Sequence, residues 1–99
     1  MDPTDTTDLP AEDAKLLVLA RSAAARVVGA GAAVRDDIGR TYLAGAVAVG
    51  PLRLSAVEAA VAQAVGSGAT RLEAVAVVGD EQPDPQLLAA VGDPVVVRA

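Results

Sequence analysis

The sequence feature that most constrains the fold is a short apolar run, Leu-Glu-Ala-Val-Ala-Val-Val, at residues 72–78. A run of this length that is rich in Val and ends at Gly79-Asp80 predicts a central strand of a parallel sheet, covered on both faces. Such a strand needs a layer of helices on each side of its sheet. The run therefore predicts an α/β fold.

The remaining segments alternate between helical and extended patterns. Apolar residues at three- and four-residue steps, ended by glycines, predict helices over residues 10–28, 55–65 and 84–91. Short apolar runs bounded by Gly, Pro or Asp predict strands over residues 30–35, 41–49 and 94–97. Asp36-Asp37-Ile38-Gly39 suits a hairpin turn between the first two strands. The order α-β-β-α-β-α-β predicts a three-layer α/β/α sandwich with two right-handed crossovers.

Composition limits both the size of the core and the available chemistry. The chain has 99 residues, 53% of them hydrophobic, which is enough for one core and too apolar for a disordered protein. We expect residues 10–99 to form a single domain and the polar residues 1–9 to form a disordered acidic tail. The sequence contains no Cys and no His, which excludes disulfides, thiolate nucleophiles, Cys/His zinc sites and imidazole catalysis.

The net charge of -5 comes from the beginning of the chain, where five acids precede Lys15. The rest is balanced, and Tyr42 is the single aromatic residue. Nucleic-acid binding is not expected, because it depends on basic groups and stacking aromatics. The charge-free stretches 41–52 and 59–70 fall short of the roughly 18 residues that indicate a membrane span. With an acidic rather than basic N-terminus, these features predict a soluble, cytoplasmic chain that does not bind membranes.

Three acids follow the central strand, Asp80, Glu81 and Asp84. Carboxylates in one loop could bind a divalent cation, but a solvated loop that ends in a helix cap explains them more simply. Glu58, Asp80 and Asp84 could also serve an enzyme with carboxylate-based chemistry, although no pair of them has the spacing of an acid/base couple.

Several strings in the chain carry a resemblance to a known family. They are Leu-Leu-Val-Leu-Ala-Arg at 16–21, Gly-Ala-Ala-Val at 31–34, Asp-Ile-Gly-Arg-Thr-Tyr at 37–42, the helix segment 59–65 and the strand with its following residues at 72–80. In this order they resemble the scaffold motifs of the small tetrameric cytidine deaminases, over about residues 13–97. The resemblance implies that family's fold and its zinc-dependent ancestry.

The sequence departs from the family where the family keeps its chemistry. In the best register, Ser55-Ala56-Val57 stands in place of the family's Cys-Ala-Glu, which supplies a zinc ligand and the proton-shuttling glutamate. The family's Pro-Cys-x-x-Cys has no counterpart at residues 83–86, and Val47 and Val49 replace the two residues that bind the sugar. Shifting the register by one residue would match Glu58 to the glutamate but would leave Ala56 at the ligand position.

The missing ligands decide the question of catalysis. In zinc deaminases the metal generates the attacking hydroxide. Lowering the pKa of water from about 15.7 to about 7 corresponds to roughly 12 kcal/mol, which no Ser or Glu supplies. Deamination by the family mechanism is therefore not expected, and neither zinc nor any other cofactor is predicted.

Two interpretations of the former site remain. Ser55 and Glu58 have the spacing of a capping box, and Asp84-Pro85 has the pattern of an N-cap, so the ligand positions would have become helix caps. Alternatively, the two helix N-termini with Arg53 nearby would form a residual pocket for an anion or a nucleotide fragment, lined by Arg53, Ser55, Glu58 and Asp84.

The leading hypothesis is a catalytically inactive, cytidine-deaminase-like domain that serves as a scaffold or interaction module. Helix 55–65 is apolar nearly all round, with Ala56, Ala59, Ala60 and Gln63 opposite its core-facing side. A helix of this kind predicts a homodimer or homotetramer, with that side against a second subunit. The alternatives are a pseudoenzyme that senses nucleosides or phosphate, and the carboxylate enzyme.

Overall fold

A computed structural model of the chain describes residues 9–26 and 29–99. In this part of the chain the helices and strands are α1 (Ala11–Arg26), β1 (Gly31–Asp36), β2 (Thr41–Gly45), β3 (Val47–Val49), β4 (Leu52–Leu54), α2 (Ala56–Gly66), β5 (Leu72–Val78), α3 (Pro85–Ala90) and β6 (Val95–Arg98). Nearly all of the expected acidic tail, and the predicted end of the first helix at residues 27–28, lie outside the described residues.

Four of the strands form one mixed sheet in the order β2-β1-β5-β6. β1 is antiparallel to both β2 and β5, whereas β5 and β6 are parallel. The central position of β5 confirms the prediction for residues 72–78. The prediction of parallel neighbours holds only toward β6, because the β1–β2 hairpin places the antiparallel β1 on the other side.

The sheet separates two apolar cores. On one face, α1 packs Leu16, Leu17 and Ala20 against the small residues Ala33 and Ala76. The core on the other face combines α2, the sheet and the α3 region, and its buried members include Val34, Val57, Val61, Val75 and Val77. The three-layer α/β/α sandwich predicted from the sequence is therefore confirmed.

Small residues let the layers approach closely. A Cβ atom on Gly31 would collide with the backbone of Ala20 and Ala24 in α1. Glycine at this position therefore allows α1 to lie directly on β1. The core consists mainly of Ala and Val, whose side chains are small. These side chains fill the core at normal protein density because the layers lie close together.

The predicted element order needs one correction. The segment predicted as one strand over residues 41–49 is divided at Ala46, and β3 pairs with β4 in a separate two-stranded sheet. Gly50, with φ 53°, and Pro51 form the turn between them. The observed order is therefore α-β-β-β-β-α-β-α-β. Strands of three residues are too short to show a period-two pattern, which is why β4 was not predicted.

The residues of α2 predicted to face a second subunit are, apart from Gln63, not exposed for such a contact. Ala56, Ala59 and Ala60 are buried within the single chain. The reason is that α2 packs across β1 and β2 and also contacts β4. Gln63 is exposed, but its side chain donates to the backbone carbonyl of Leu43 at 3.0 Å and covers part of the β2 edge.

Candidate functional site

The N-terminus of α2 is the position to which the sequence assigned the lost zinc ligand. Ser55 is the N-cap, and its Oγ accepts from the N–H of Glu58 at 3.0 Å. The Glu58 carboxylate accepts in return from the N–H of Ser55 at 2.7 Å. Both halves of the predicted capping box are therefore present, and both side chains are engaged in satisfying the helix end.

A second carboxylate reaches the same helix end from a distant part of the chain. Glu81, in the loop between β5 and α3, accepts from the N–H of Ala56 through Oε2 at 2.7 Å and from the N–H of Val57 through Oε1 at 3.1 Å. A carboxylate is favoured at this place because the helix dipole gives the N-terminus a partial positive charge. Side chains of this protein thus accept from the first three amides of α2.

The path of the loop brings Glu81 to this position. Gly79, directly after β5, has φ 111°, and a Cβ atom there would collide with the backbone carbonyl of Gly29. Glycine is therefore required where the chain leaves the sheet. Arg98, at the end of β6, donates from Nη2 to the backbone carbonyls of Gly79, at 3.4 Å, and of Glu81.

The third helix begins as the sequence predicts. Asp84 is its N-cap, with extended backbone angles of φ -66° and ψ 121°, and its Oδ1 accepts from the N–H of Gln86 at 2.8 Å. Pro85 occupies the first turn, where its missing N–H has no cost. The Asp84 side chain therefore serves α3.

Among the described residues, hydrogen bonds do not join the four residues expected to line a residual pocket into one site. Ser55 and Glu58 bond to each other, whereas Asp84 caps another helix. Arg53 lies exposed on β4, opposite Ala48. Within the described residues, neither Arg53 nor Asp84 has a hydrogen bond or ion pair to the Ser55–Glu58 pair. Because the α2 amides already donate within the chain, an external anion would have to displace Glu81.

One cavity in the described part of the chain lies elsewhere. Its volume is about 390 Å³, and it is lined by Lys15, Val18 and Leu19 of α1 and by Thr41 of β2. None of the acids proposed for carboxylate chemistry lines it. Glu58 and Asp84 cap helices, and Asp80 is exposed. Of these three acids in the described part of the chain, two therefore serve helix ends and none lines this cavity.

The role of Glu81 was missed by sequence reasoning. The sequence placed it in an acidic loop as a possible cation ligand, but its partners are 24 and 25 residues away along the chain. Local patterns reveal caps made within three or four residues, such as Ser55 with Glu58. No local pattern reveals a capping side chain contributed by another loop.

The residues at this site do not fit a zinc ion. The sequence contains neither of the residue types that usually bind zinc in proteins, Cys and His. Ser55 Oγ and the Glu81 carboxylate are both oriented toward helix amides. Within residues 9–26 and 29–99, no group of three or more acidic side chains is arranged to hold a metal.

Comparisons with known proteins identify the scaffold. Among curated proteins, no match to the chain is found. None of the helices in the described segments is long and apolar enough to span a membrane. A family model described as "Cytidine deaminase-like" matches residues 9–98, which is nearly the whole chain. The chain therefore belongs to the cytidine deaminase-like family.

Proposed function

We propose that this domain is a catalytically inactive member of its family and that it works as a scaffold or interaction module. The observation that carries the proposal is the occupation of the α2 N-terminus by Ser55 and Glu81, side chains of the protein itself. Deamination would need an activated water at this place, and the chain has neither the thiolates nor the imidazole to hold the metal that activates it.

The capping box supports the same conclusion for the alternative register. If Glu58 were the proton-shuttling glutamate, its carboxylate would have to face a substrate. Its Oε1 instead accepts from the backbone N–H of Ser55. Glu58 therefore stabilises the start of α2, which is a structural role.

A deaminase assay tests the proposal directly. The purified chain is incubated with cytidine and with deoxycytidine, with and without added Zn²⁺, and a zinc-dependent cytidine deaminase serves as the positive control. We expect no uridine or deoxyuridine above the buffer blank. Zinc-dependent product formation that is lost in a Glu58→Gln variant would contradict the proposal.

The scaffold role includes self-association as a dimer or tetramer. Although Ala56, Ala59 and Ala60 are covered within the chain, Val65 near the end of α2 keeps 52% of its surface exposed. Ala62, one turn earlier, is also exposed. We place the contact between subunits on this outward side of α2, because the sequence predicts an interface through this helix and Ala62 and Val65 are exposed apolar residues of it.

A cytoplasmic location is part of the same proposal. It is tested by fractionating cells that produce the chain with a small epitope tag. Recovery in the cytosolic fraction is the expected result, and recovery with membranes or outside the cell would contradict it.

A further inference from the structure

The contact between Glu81 and α2 connects two segments that are remote in the sequence. The N–H groups of the first residues of a helix have no partner within the helix, so they need an acceptor from elsewhere. Both oxygens of Glu81 serve this purpose, one for Ala56 and one for Val57. A carboxylate bound at two points fixes both the position and the orientation of the residue that carries it.

The loop that carries Glu81 is attached at a second point as well. Arg98 of β6 donates to the backbone carbonyls of Gly79 and Glu81. The loop is thus held on one side by the edge strand of the main sheet and on the other by the start of α2. The Glu81 backbone bonds to β6, and its side chain bonds to α2.

From these contacts we propose that Glu81 is a latch, meaning a side chain that keeps the β5–α3 loop closed over the first turn of α2. In the family, as the resemblance implies, zinc connects the segment at Ser55 with the segment at residues 83–86. This chain cannot hold zinc there, and Glu81 joins the start of α2 to the β5–α3 loop with two hydrogen bonds from a single carboxylate.

The latch has a consequence that can be observed without any ligand. If the Glu81 carboxylate is the acceptor for Ala56 and Val57, its removal exposes those two amides to water. The amide of Ala59 donates to the carbonyl of Ser55 and does not depend on Glu81. Ala59 therefore serves as an internal reference for the stability of α2 as a whole.

The test is amide hydrogen exchange measured by NMR on the full chain and on three variants. Glu81→Ala removes both acceptor oxygens, and Glu81→Gln keeps the shape with one carbonyl oxygen. Asp80→Asn is the matched control, because it removes a charge from the exposed neighbouring residue of the same loop. The readout is separate from catalysis, so its result does not depend on whether the chain is inactive.

We expect exchange at Ala56 and Val57 to accelerate tenfold or more in Glu81→Ala and by a smaller factor in Glu81→Gln. Ala59 should stay within about twofold of the wild-type rate. Exchange in both Glu81 variants that equals exchange in Asp80→Asn would overturn the latch. So would an acceleration of the same size at Ala59, because that would indicate general destabilisation. If Glu81→Ala does not fold, Glu81→Gln carries the same comparison.

Discussion

Asp36 and Arg40 form an ion pair of 2.7 Å in which the carboxylate is completely buried and the guanidinium is about half exposed. The same carboxylate accepts from the backbone N–H groups of Ile38 and Arg40, at 3.1 and 2.8 Å. These hydrogen bonds fix the β1–β2 turn around the buried carboxylate. The hairpin predicted from Asp and Gly residues is held together by a buried charge at its first position.

This arrangement predicts a dependence of stability on pH. Burial acts to raise the pKa of Asp36, but hydrogen bonds from the Arg40 backbone, the Arg40 guanidinium and the Ile38 backbone outweigh it, so the pKa lies below its ordinary value of 3.8. A carboxylate with a lowered pKa stabilises the fold above its unfolded-state pKa, and this stabilisation is lost as the pH falls through the folded-state pKa. We therefore expect the contribution of Asp36 to be constant from pH 7 to about 5 and to decline below pH 3.8.

Urea unfolding at several pH values checks this expectation. Asp36→Asn should be less stable than the wild type at pH 7, and the difference should shrink as the pH falls below 3.8. Asp37→Asn, which alters the exposed neighbour, is the matched control. A difference between wild type and Asp36→Asn that is the same at pH 7 and pH 3 would show that the charge of Asp36 has no stabilising role.

A second, nearly buried ion pair joins α1 to the sheet. Arg35 of β1 donates to Asp13 of α1 at 2.9 Å and to Glu73 of β5 at 2.7 Å. The Asp13 side chain is nearly buried, whereas that of Glu73 is about half exposed. We expect Asp13→Ala to lower the free energy of unfolding by about 1.5–3 kcal/mol, because it removes the acceptor of a nearly buried hydrogen bond from a charged group.

Glu73→Ala, which removes the other acceptor, is the comparison for this ion pair. Its loss should be less than about 1 kcal/mol, because exposed ion pairs contribute little. Chemical denaturation of both variants at pH 7 measures the two values. Equal losses in the free energy of unfolding for the two variants would contradict this expectation. They would mean that the deeper burial of Asp13 does not make its ion pair with Arg35 more stabilising than that of Glu73.

Self-association can be tested at Val65. The wild-type chain should have the mass of a dimer or tetramer at micromolar concentration in sedimentation equilibrium. Val65→Glu should be monomeric, because a carboxylate cannot be buried in an apolar interface without a partner. Val18→Glu places the same charge on a similarly exposed residue of α1 and should leave the oligomer intact. A monomeric wild type, or dissociation by both variants, would refute the assignment to α2.

The prediction that no ligand binds at the α2 N-terminus is tested by thermal unfolding with cytidine, uridine, their monophosphates, inorganic phosphate and Zn²⁺. A ligand at 100 times its dissociation constant adds about 2.7 kcal/mol. For a domain of this size that raises the unfolding midpoint by about 10–20 °C. We expect no shift with any of these compounds, because Glu81 and Ser55 already accept from the α2 amides. A shift specific to one nucleotide would support the sensing alternative in place of the scaffold.

Local sequence patterns were enough to predict much of the scaffold. The bounds of β5 agree with the apolar run at residues 72–78, and the caps at Ser55 and Asp84 were predicted from residues within three positions of each helix start. These features depend on interactions between neighbours in the chain, which a sequence pattern records directly. The layered α/β architecture follows from them, because a strand covered on both faces needs helices on both sides.

What the sequence by itself determined is therefore the set of main helices and strands, their local caps and the lack of Cys and His, the residue types of the family's zinc site. Only the tertiary structure decided that Glu81 caps α2, that Arg35 joins Asp13 to Glu73, and that Ala56, Ala59 and Ala60 are covered within one chain. The physical reason is the separation of the partners: these contacts join residues that are 20 or more positions apart or lie on different elements. Their formation depends on the packing distance between layers, which no local pattern contains.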